Sequence, residues 1–308
     1  MKSDALWLRA NIIRSIRDFF WERGFLEVET PLLIPANAPE EHISPFSALP
    51  ALSSQLPWQL QTSPEICMKR LLCKGHQRLF QISRCWRADE RGSRHLTEFT
   101  MLEWYRANSD YEALMDDCES LLQHVVTFCM PDNPVYRYRS GVIDPFLSWQ
   151  RITVAEAFLR FGHVDVLNCL QKGQYEEILT TVVEPELAKF SEPVILLDYP
   201  SELASLARLK VGQVKLAERF ELYLGGVELA NGFSELNSQN EQRRRFEEAN
   251  RLRIINGNAP LPLPGPFLKE LDCMPASAGI ALGIDRLVML AAGANSIDEV
   301  VAFTPEEL

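Results

Sequence analysis

Glu221, Tyr223 and Glu228 combine residue types and spacing that could do chemistry. They lie in Arg219-Phe-Glu-Leu-Tyr-Leu-Gly-Gly-Val-Glu-Leu-Ala-Asn-Gly-Phe-Ser-Glu235, where Gly225-Gly226 suits a two-residue turn that needs positive φ. Such a turn pairs Leu224 with Val227, Tyr223 with Glu228, Leu222 with Leu229 and Glu221 with Ala230. Leu222, Leu224, Val227 and Leu229 then pack one way, while Glu221, Tyr223 and Glu228 point the other. Diagonal cross-strand neighbours stand roughly 7–8 Å apart, so one cation could bridge the two carboxylates. The functional reading is a Mg2+ site holding a triphosphate, with Asn231 and Glu235 adding polar groups nearby. A half-exposed hairpin with a solvated acidic face has the same pattern.

Three other segments carry candidate chemistry. In Leu79 to Tyr105, period-two alternation puts Phe99, Met101, Glu103 and Tyr105 on one strand face. A stacking ring, a carboxylate and a phenol in line suit a nucleotide and then an amine. Arg87 closes the strand before it, and the connecting loop holds Arg91, Arg94 and His95. Cationic donors gathered on one loop suit phosphate oxygens, which arginine engages bidentately, although short basic runs also serve as solvated loops. In Gly279 to Leu290, Gly279, Ala281 and Gly283 share one face and allow a ligand to approach the backbone closely. Asp285 can cap the helix that follows. Arg286 in its first turn opposes the helix dipole, a conflict that an anionic ligand would resolve; close strand–helix packing with an exposed Arg286 explains the pattern equally. In Thr62-Ser-Pro-Glu65, Ser63 is a natural N-cap with Pro64 at the first helical position. Glu65 either serves that helix start or meets a substrate amine. No Walker loop, dinucleotide glycine fingerprint or nucleophile elbow occurs.

The elements that must position these groups follow from pattern. Ile12, Ile13, Ile16, Phe19 and Phe20 recur at helical spacing before Gly24. Leu79–Ala88 and Thr97–Arg106 read as strands joined by a polar loop. Residues 35–60 are loop-rich with prolines, including Pro50, and residues 110–130 and 239–257 read as helices. Tight or polar links between successive strands favour an α+β fold, with an antiparallel sheet flanked by helices, in one domain spanning 1–308. The chain has 308 residues, 46% hydrophobic and 24% charged, which excludes a disordered chain and a disulfide miniprotein. A net charge of -11 argues against coating nucleic acid and suits a basic partner or a small cationic substrate. Seven scattered cysteines, no secretion signal and no long apolar run predict a cytoplasmic protein that does not span a membrane.

Taken in order, these segments resemble the catalytic core of class II aminoacyl-tRNA synthetases. Phe25 to Leu33, with Pro31, resembles the first family motif, Arg87 to Glu103 the second and Gly279 to Leu290 the third. The strings Thr-Ser-Pro-Glu, Glu-Phe-Thr-Met-Leu-Glu and Glu-Leu-Ala-Asn-Gly-Phe-Ser-Glu-Leu resemble the lysyl branch. Lysyl-tRNA synthetases carry an N-terminal anticodon-reading domain, and here the first core helix lies within a few residues of the start. That architecture is similar to the stand-alone paralogues that modify elongation factor P and do not read an anticodon.

The resemblance implies a site. ATP would bind bent, with adenine on Phe99, Arg87 on the α-phosphate, and His95 and Arg286 on the β- and γ-phosphates. Ala88, Asp89, Leu96, Glu228 and Gly283 complete the nucleotide contacts, and Glu221 and Glu228 would hold Mg2+. Glu235 and Tyr105 would receive the distal ammonium of β-lysine or lysine, and Glu65 and Glu103 the other amine, beside Ser63, Asn231 and Ala281. Arg87 and Arg286 would promote adenylate formation, and a lysine amine of elongation factor P would then take the acyl group. The first motif implies a homodimer. Two departures stand out: the family's Arg-x-Glu is Arg87-Ala88-Asp89 here, with Glu90 placed to compensate, and its His-Asn-Pro is His95-Leu96-Thr97. Other readings are a free-standing ligase that charges tRNA or another amine, and a non-catalytic regulator binding ATP or lysine.

Overall fold

Alternating apolar residues and polar links build one large sheet in the computed structural model, which describes residues 2–49 and 57–308. Pro50 and the rest of 50–56 lie outside the described residues. Helix α1 (Lys2–Glu22) leads to a short strand β1 (Leu26–Glu27). Helix α2 (Glu65–Cys73) precedes the hairpin β2 (Arg78–Trp86) and β3 (Glu98–Ala107), and α3 (Tyr111–Cys129) follows. Strands β4 (Gln150–Thr153) and β5 (Val194–Pro200) bracket a run of short helices. Then come β6 (Leu209–Lys210), the hairpin β7 (Gln213–Leu224) and β8 (Val227–Ser234), α4 (Gln239–Ile255), β9 (Ser277–Gly283) and α5 (Ile284–Ala292).

Among the described residues, the nine strands of this sheet run in the order β1-β2-β3-β9-β8-β7-β5-β4, with β6 on β7. The β1/β2 and β4/β5 pairs are parallel and the other pairs antiparallel. The expected α+β fold is therefore present, and the three chemistry-bearing segments occupy adjacent central strands.

One face of the sheet is closed by helices. Ile12, Ile16, Phe19 and Phe20 of α1 are wholly buried, as their spacing predicts. Phe20 stacks on Phe80 with centroids 4.9 Å apart and tilts against Trp104 at 5.3 Å. Burying each such ring contributes about 1.5–3 kcal/mol. The Trp104 indole donates to Asp117 (3.1 Å), which also takes two 2.6 Å bonds from Arg106, so this buried carboxylate has its partners.

The β7–β8 hairpin corrects the simple register. Gly225 and Gly226 have φ of 57° and 73°, and Leu224↔Val227 and Tyr223↔Glu228 pair as expected. The ladder then slips by one, so Leu222 meets Ala230, not Leu229, and Glu221 meets Asn231, not Ala230. The extra residue is a β-bulge. Past it, Asn231 and Phe233 share the cavity face with Glu228, while Ser234 turns to the back and accepts from the Tyr111 amide at 3.0 Å. Gly232 is an interior strand position, where a Cβ would stand 2.7 Å from the Phe220 ring.

Two expected caps also differ. Pro64 occupies the N-cap position of α2, and Ser63 lies one residue earlier; its hydroxyl still accepts from the Glu65 amide at 3.0 Å. Asp285 does not cap α5, whose N-cap is Gly283. Its carboxylate instead accepts from the Thr100 amide (2.6 Å) and from Arg9 of α1 (2.5 Å).

Candidate active site

The open face of the sheet forms the floor of a cavity of about 540 Å³. Phe99, Met101, Glu103 and Tyr105 line it from β3, and Gly279, Ala281 and Gly283 from β9. Glu221 enters from β7, and Glu228 and Asn231 from β8. Ser63 and Glu65 enter at the start of α2, Arg87, Arg94, His95 and Leu96 from the β2–β3 loop, and Arg286 from α5. Ala281 is paired with Glu103 on one side and Asn231 on the other, at the middle of the floor.

One end of this cavity is lined by Arg87, Arg94, His95 and Arg286. Arg87 packs over the Phe99 ring, 5.2 Å from its centroid, and reaches Glu90 at 3.3 Å. Arg286 donates to the Glu228 carbonyl (2.7 Å), approaches its carboxylate (3.3 Å) and lies 2.6 Å from His95 Nε2. Desolvation and the neighbouring Arg286 hold the His95 imidazole below its ordinary pKa. Arg94 donates to Gly226 O at 3.1 Å. Arg91 is the exception among the loop cations: it turns away to Asp298 (3.0 Å) and Glu306 (2.9 Å).

The other end is acidic and buried. Glu103 accepts from Ser63 (2.5 Å) and Tyr105 (2.7 Å). Burial, then the charge of Glu65, lifts its carboxyl to about 7. Glu235 lies at the floor behind Gly279, where a Cβ would come 2.4 Å from its Oε1 and 2.2 Å from the Tyr105 ring. Burial pushes its carboxyl up, against the opposing pull of Lys69. Lys69 Nζ stands 2.5 Å from Glu235 Oε2, also pairs with Glu65 and sits over the Phe233 ring. Burial pulls the Lys69 ammonium down, but Glu235 and Glu65 outweigh it and the net shift is upward. The Lys69–Glu235 contact is a close ion pair without hydrogen-bond alignment, and Glu235 Oε1 has no partner among the described residues. A buried carboxylate oxygen without a donor carries a desolvation cost that an incoming ammonium would remove.

Between the two ends, Glu221 accepts from Arg219 and Tyr223, each at 2.7 Å. Burial, then the charge of Glu228, raises its carboxyl. These hard oxygen donors fit a Mg2+ ion that draws its remaining ligands from phosphate and water. Among the described residues no group of three or more His, Cys, Asp or Glu could hold a metal by itself.

The predicted residues thus converge with few exceptions. Ala88 and Asp89 do not line the cavity; Asp89 is exposed, and Glu90 lines it instead. The turn after Arg87 decides this, because the Ala88 amide is held by Ser44 O at 2.8 Å. Lys69, Arg219 and Glu40 are additional charged groups at the site. Lys69 has a readable signal, one helical turn after Glu65. Arg219 stands two residues before Glu221 on the same strand face. Glu40 comes from a proline-bearing loop with no periodicity to read.

Comparison with known proteins agrees with this geometry. Residues 1–307 match the family model for class II tRNA synthetases (D, K and N). The chain is 42% identical over 308 residues to the elongation factor P–(R)-β-lysine ligase of Mannheimia succiniciproducens, covering 97% of this chain and 94% of that protein. It is 40% identical over 307 residues to the protein of the same name from Salmonella gallinarum, with 96% and 93% covered. The corresponding Erwinia tasmaniensis protein is 39% identical over 307 residues, again with 96% and 93% covered.

Proposed function

The chain belongs to the class II tRNA synthetase family (D, K and N), and from that membership we infer that it is an ATP-dependent ligase that activates (R)-β-lysine or lysine and transfers it to a lysine side chain of elongation factor P. The observation that carries this reading is the juxtaposition of an arginine-lined end and a buried carboxylate end across one floor. A triphosphate fits the first and a short diamine the second.

Activation needs no protein nucleophile. The amino-acid carboxylate attacks the α-phosphorus, its oxygen bonds to phosphorus, and pyrophosphate leaves with the electron pair of the broken P–O bond. Arg87 would hold the α-phosphate against this attack, and Arg286 with His95 would neutralise the departing pyrophosphate. Phe99 offers the adenine a face. Glu221 and Glu228 would hold Mg2+, whose charge screens the triphosphate. Glu235 and Tyr105 receive the distal ammonium, and Glu65 with Glu103 the nearer amine. Ala281 adds one methyl beneath the amine-bearing carbon. A methyl-sized change in such a pocket shifts selectivity by about 10- to 200-fold, which suits discrimination between α- and β-amines.

Transfer to a basic acceptor loop agrees with the acidic balance of the chain. A homodimer would cover the outer side of α1 and the segment after it, where Trp7, Trp21, Leu26 and Leu33 are exposed. No described helix is long and apolar enough to cross a membrane. We place the enzyme in the cytoplasm, where its protein substrate acts.

The test separates the two half-reactions. ATP–pyrophosphate exchange is measured with (R)-β-lysine and with α-lysine, followed by transfer of label to elongation factor P or to tRNA. Exchange favouring the β-isomer, followed by transfer to the protein, is expected. Absence of exchange with either amino acid, or transfer to tRNA alone, refutes the reading.

A further inference from the structure

The proposed transfer step leaves one requirement unmet. A lysine ammonium cannot attack an acyl group until it gives up a proton, and none of the residues assigned above is free to take it. Glu65, Glu103 and Glu235 face the amino-acid amines, while Glu221 and Glu228 are tied to Arg219, Tyr223 and Arg286.

Glu40 is different. It lines the same cavity from the 35–43 loop and is half-buried, yet its carboxylate makes no hydrogen bond or ion pair with any described residue. The loop that presents it is fixed from behind. The buried Arg253 guanidinium of α4 donates to the carbonyls of Glu40 (2.9 Å) and Ile43 (2.8 Å), and more weakly to that of Glu41 (3.4 Å). Arg87 and Arg219 face the carboxylate as cations, Glu65 and Glu90 as like charges, and Glu41 and His42 follow it in the loop. Glu40 therefore lies within electrostatic reach of both Arg87 and Glu65. In the proposed function these hold the α-phosphate and the amine, the two groups flanking the acyl carbon of the adenylate.

We propose that Glu40 is the general base of the second half-reaction, taking a proton from the acceptor lysine of the protein substrate as that amine approaches the adenylate. The inference rests on the transfer chemistry proposed above. The Glu40 carboxylate removes one proton from the ammonium, and the freed nitrogen lone pair bonds to the acyl carbon. The C–O bond to AMP then breaks, its electron pair leaving on the phosphate oxygen. The second nitrogen proton departs to AMP or water, giving the amide. Burial lifts the Glu40 carboxyl to about 7, with Arg87 pulling the other way. A base poised near the operating pH is best matched to this work.

The experiment is single-turnover transfer from preformed, enzyme-bound aminoacyl-adenylate to elongation factor P across pH 6–9. It uses wild type, Glu40→Gln and Glu40→Asp, with ATP–pyrophosphate exchange as the control for folding and activation. Glu40→Gln is expected to retain exchange within about twofold while transfer near pH 7.5 falls about 100-fold, the usual lower range for loss of a general base. Its break near pH 7 should disappear, and Glu40→Asp should restore part of the rate with a break retained. Wild-type transfer rates and an unchanged pH break in Glu40→Gln overturn the proposal, as does an equal loss of exchange and transfer. Failure of wild type to exchange or to transfer to this acceptor overturns the underlying function instead.

Discussion

Lys69 Nζ and Glu235 Oε2 stand 2.5 Å apart, with side chains 1% and 0% exposed. The ion pair is thus sealed from water, directly beneath the floor of the site. Removing one partner of such a pair leaves an uncompensated buried charge, which costs about 3–5 kcal/mol. Lys69→Met is expected to lose that much stability in denaturant unfolding. A loss below about 1 kcal/mol would show that the pair is relaxed or hydrated in solution.

The raised Glu103 carboxyl would make binding of the proposed amino acid depend on pH. Glu103, raised to about 7, holds a proton below neutrality that a bound ammonium would displace. Binding therefore releases protons near neutrality, and affinity for the diamine should rise between pH 6 and 8. The same shift predicts the stability trend. The unfolded carboxyl titrates near 4.5, so the folded chain holds more protons between 4.5 and about 7, and stability falls as pH rises through that window. Calorimetric titration in buffers of different ionisation enthalpy measures the first effect, and thermal unfolding of the ligand-free protein the second. Proton uptake on binding, or stability rising from pH 5 to 7, would contradict this assignment.

Gly279 permits the approach of Tyr105 and Glu235. A Cβ there would lie 2.2 Å from Tyr105 Cε1 and 2.4 Å from Glu235 Oε1. Gly279→Ala must push both away. Overpacking of this kind costs about 1–3 kcal/mol, so KM for the amino acid should rise about 10- to 100-fold, with little change in KM for ATP. Equal changes in both constants would place the damage elsewhere.

Ala281 gives the most direct specificity test. Its register partners are Glu103 and Asn231, at the middle of the floor. Ala281→Gly should shift the ratio of β-lysine to α-lysine activation toward α-lysine by about tenfold or more. An unchanged exchange ratio would remove this methyl from the account of selectivity.

Much of the site is legible in the amino-acid order alone. Strict alternation places Phe99, Met101, Glu103 and Tyr105 on one face, and a stripe of small residues does the same for Gly279, Ala281 and Gly283. All seven line the cavity. The failures share a cause, because each depends on a contact made far along the chain. The one-residue slip at Leu229 has no composition signal and is set by how β8 meets β7 and β9 together. Asp285 reads as a cap because its local position allows it, but Arg9, 276 residues earlier, claims the carboxylate. Glu40 escapes notice because loops without periodicity give no hint of which side chain turns inward.

The slip at Leu229 also constrains how relatives of this chain can diverge. Upstream of it the strand carries Glu228 at the arginine-lined end of the cavity, and downstream Asn231 and Glu235 toward the carboxylate end. Deleting Leu229 itself would close the bulge and leave Ala230 opposite Leu222 and Asn231 opposite Glu221, whereas deleting a residue beyond it, such as Gly232, would turn Phe233 and Glu235 to the opposite face. Gene-length changes within this hairpin should therefore be tolerated at the bulge and eliminated between Asn231 and Glu235, and also at the Gly225-Gly226 tip, which packs against Glu184 and Ala188.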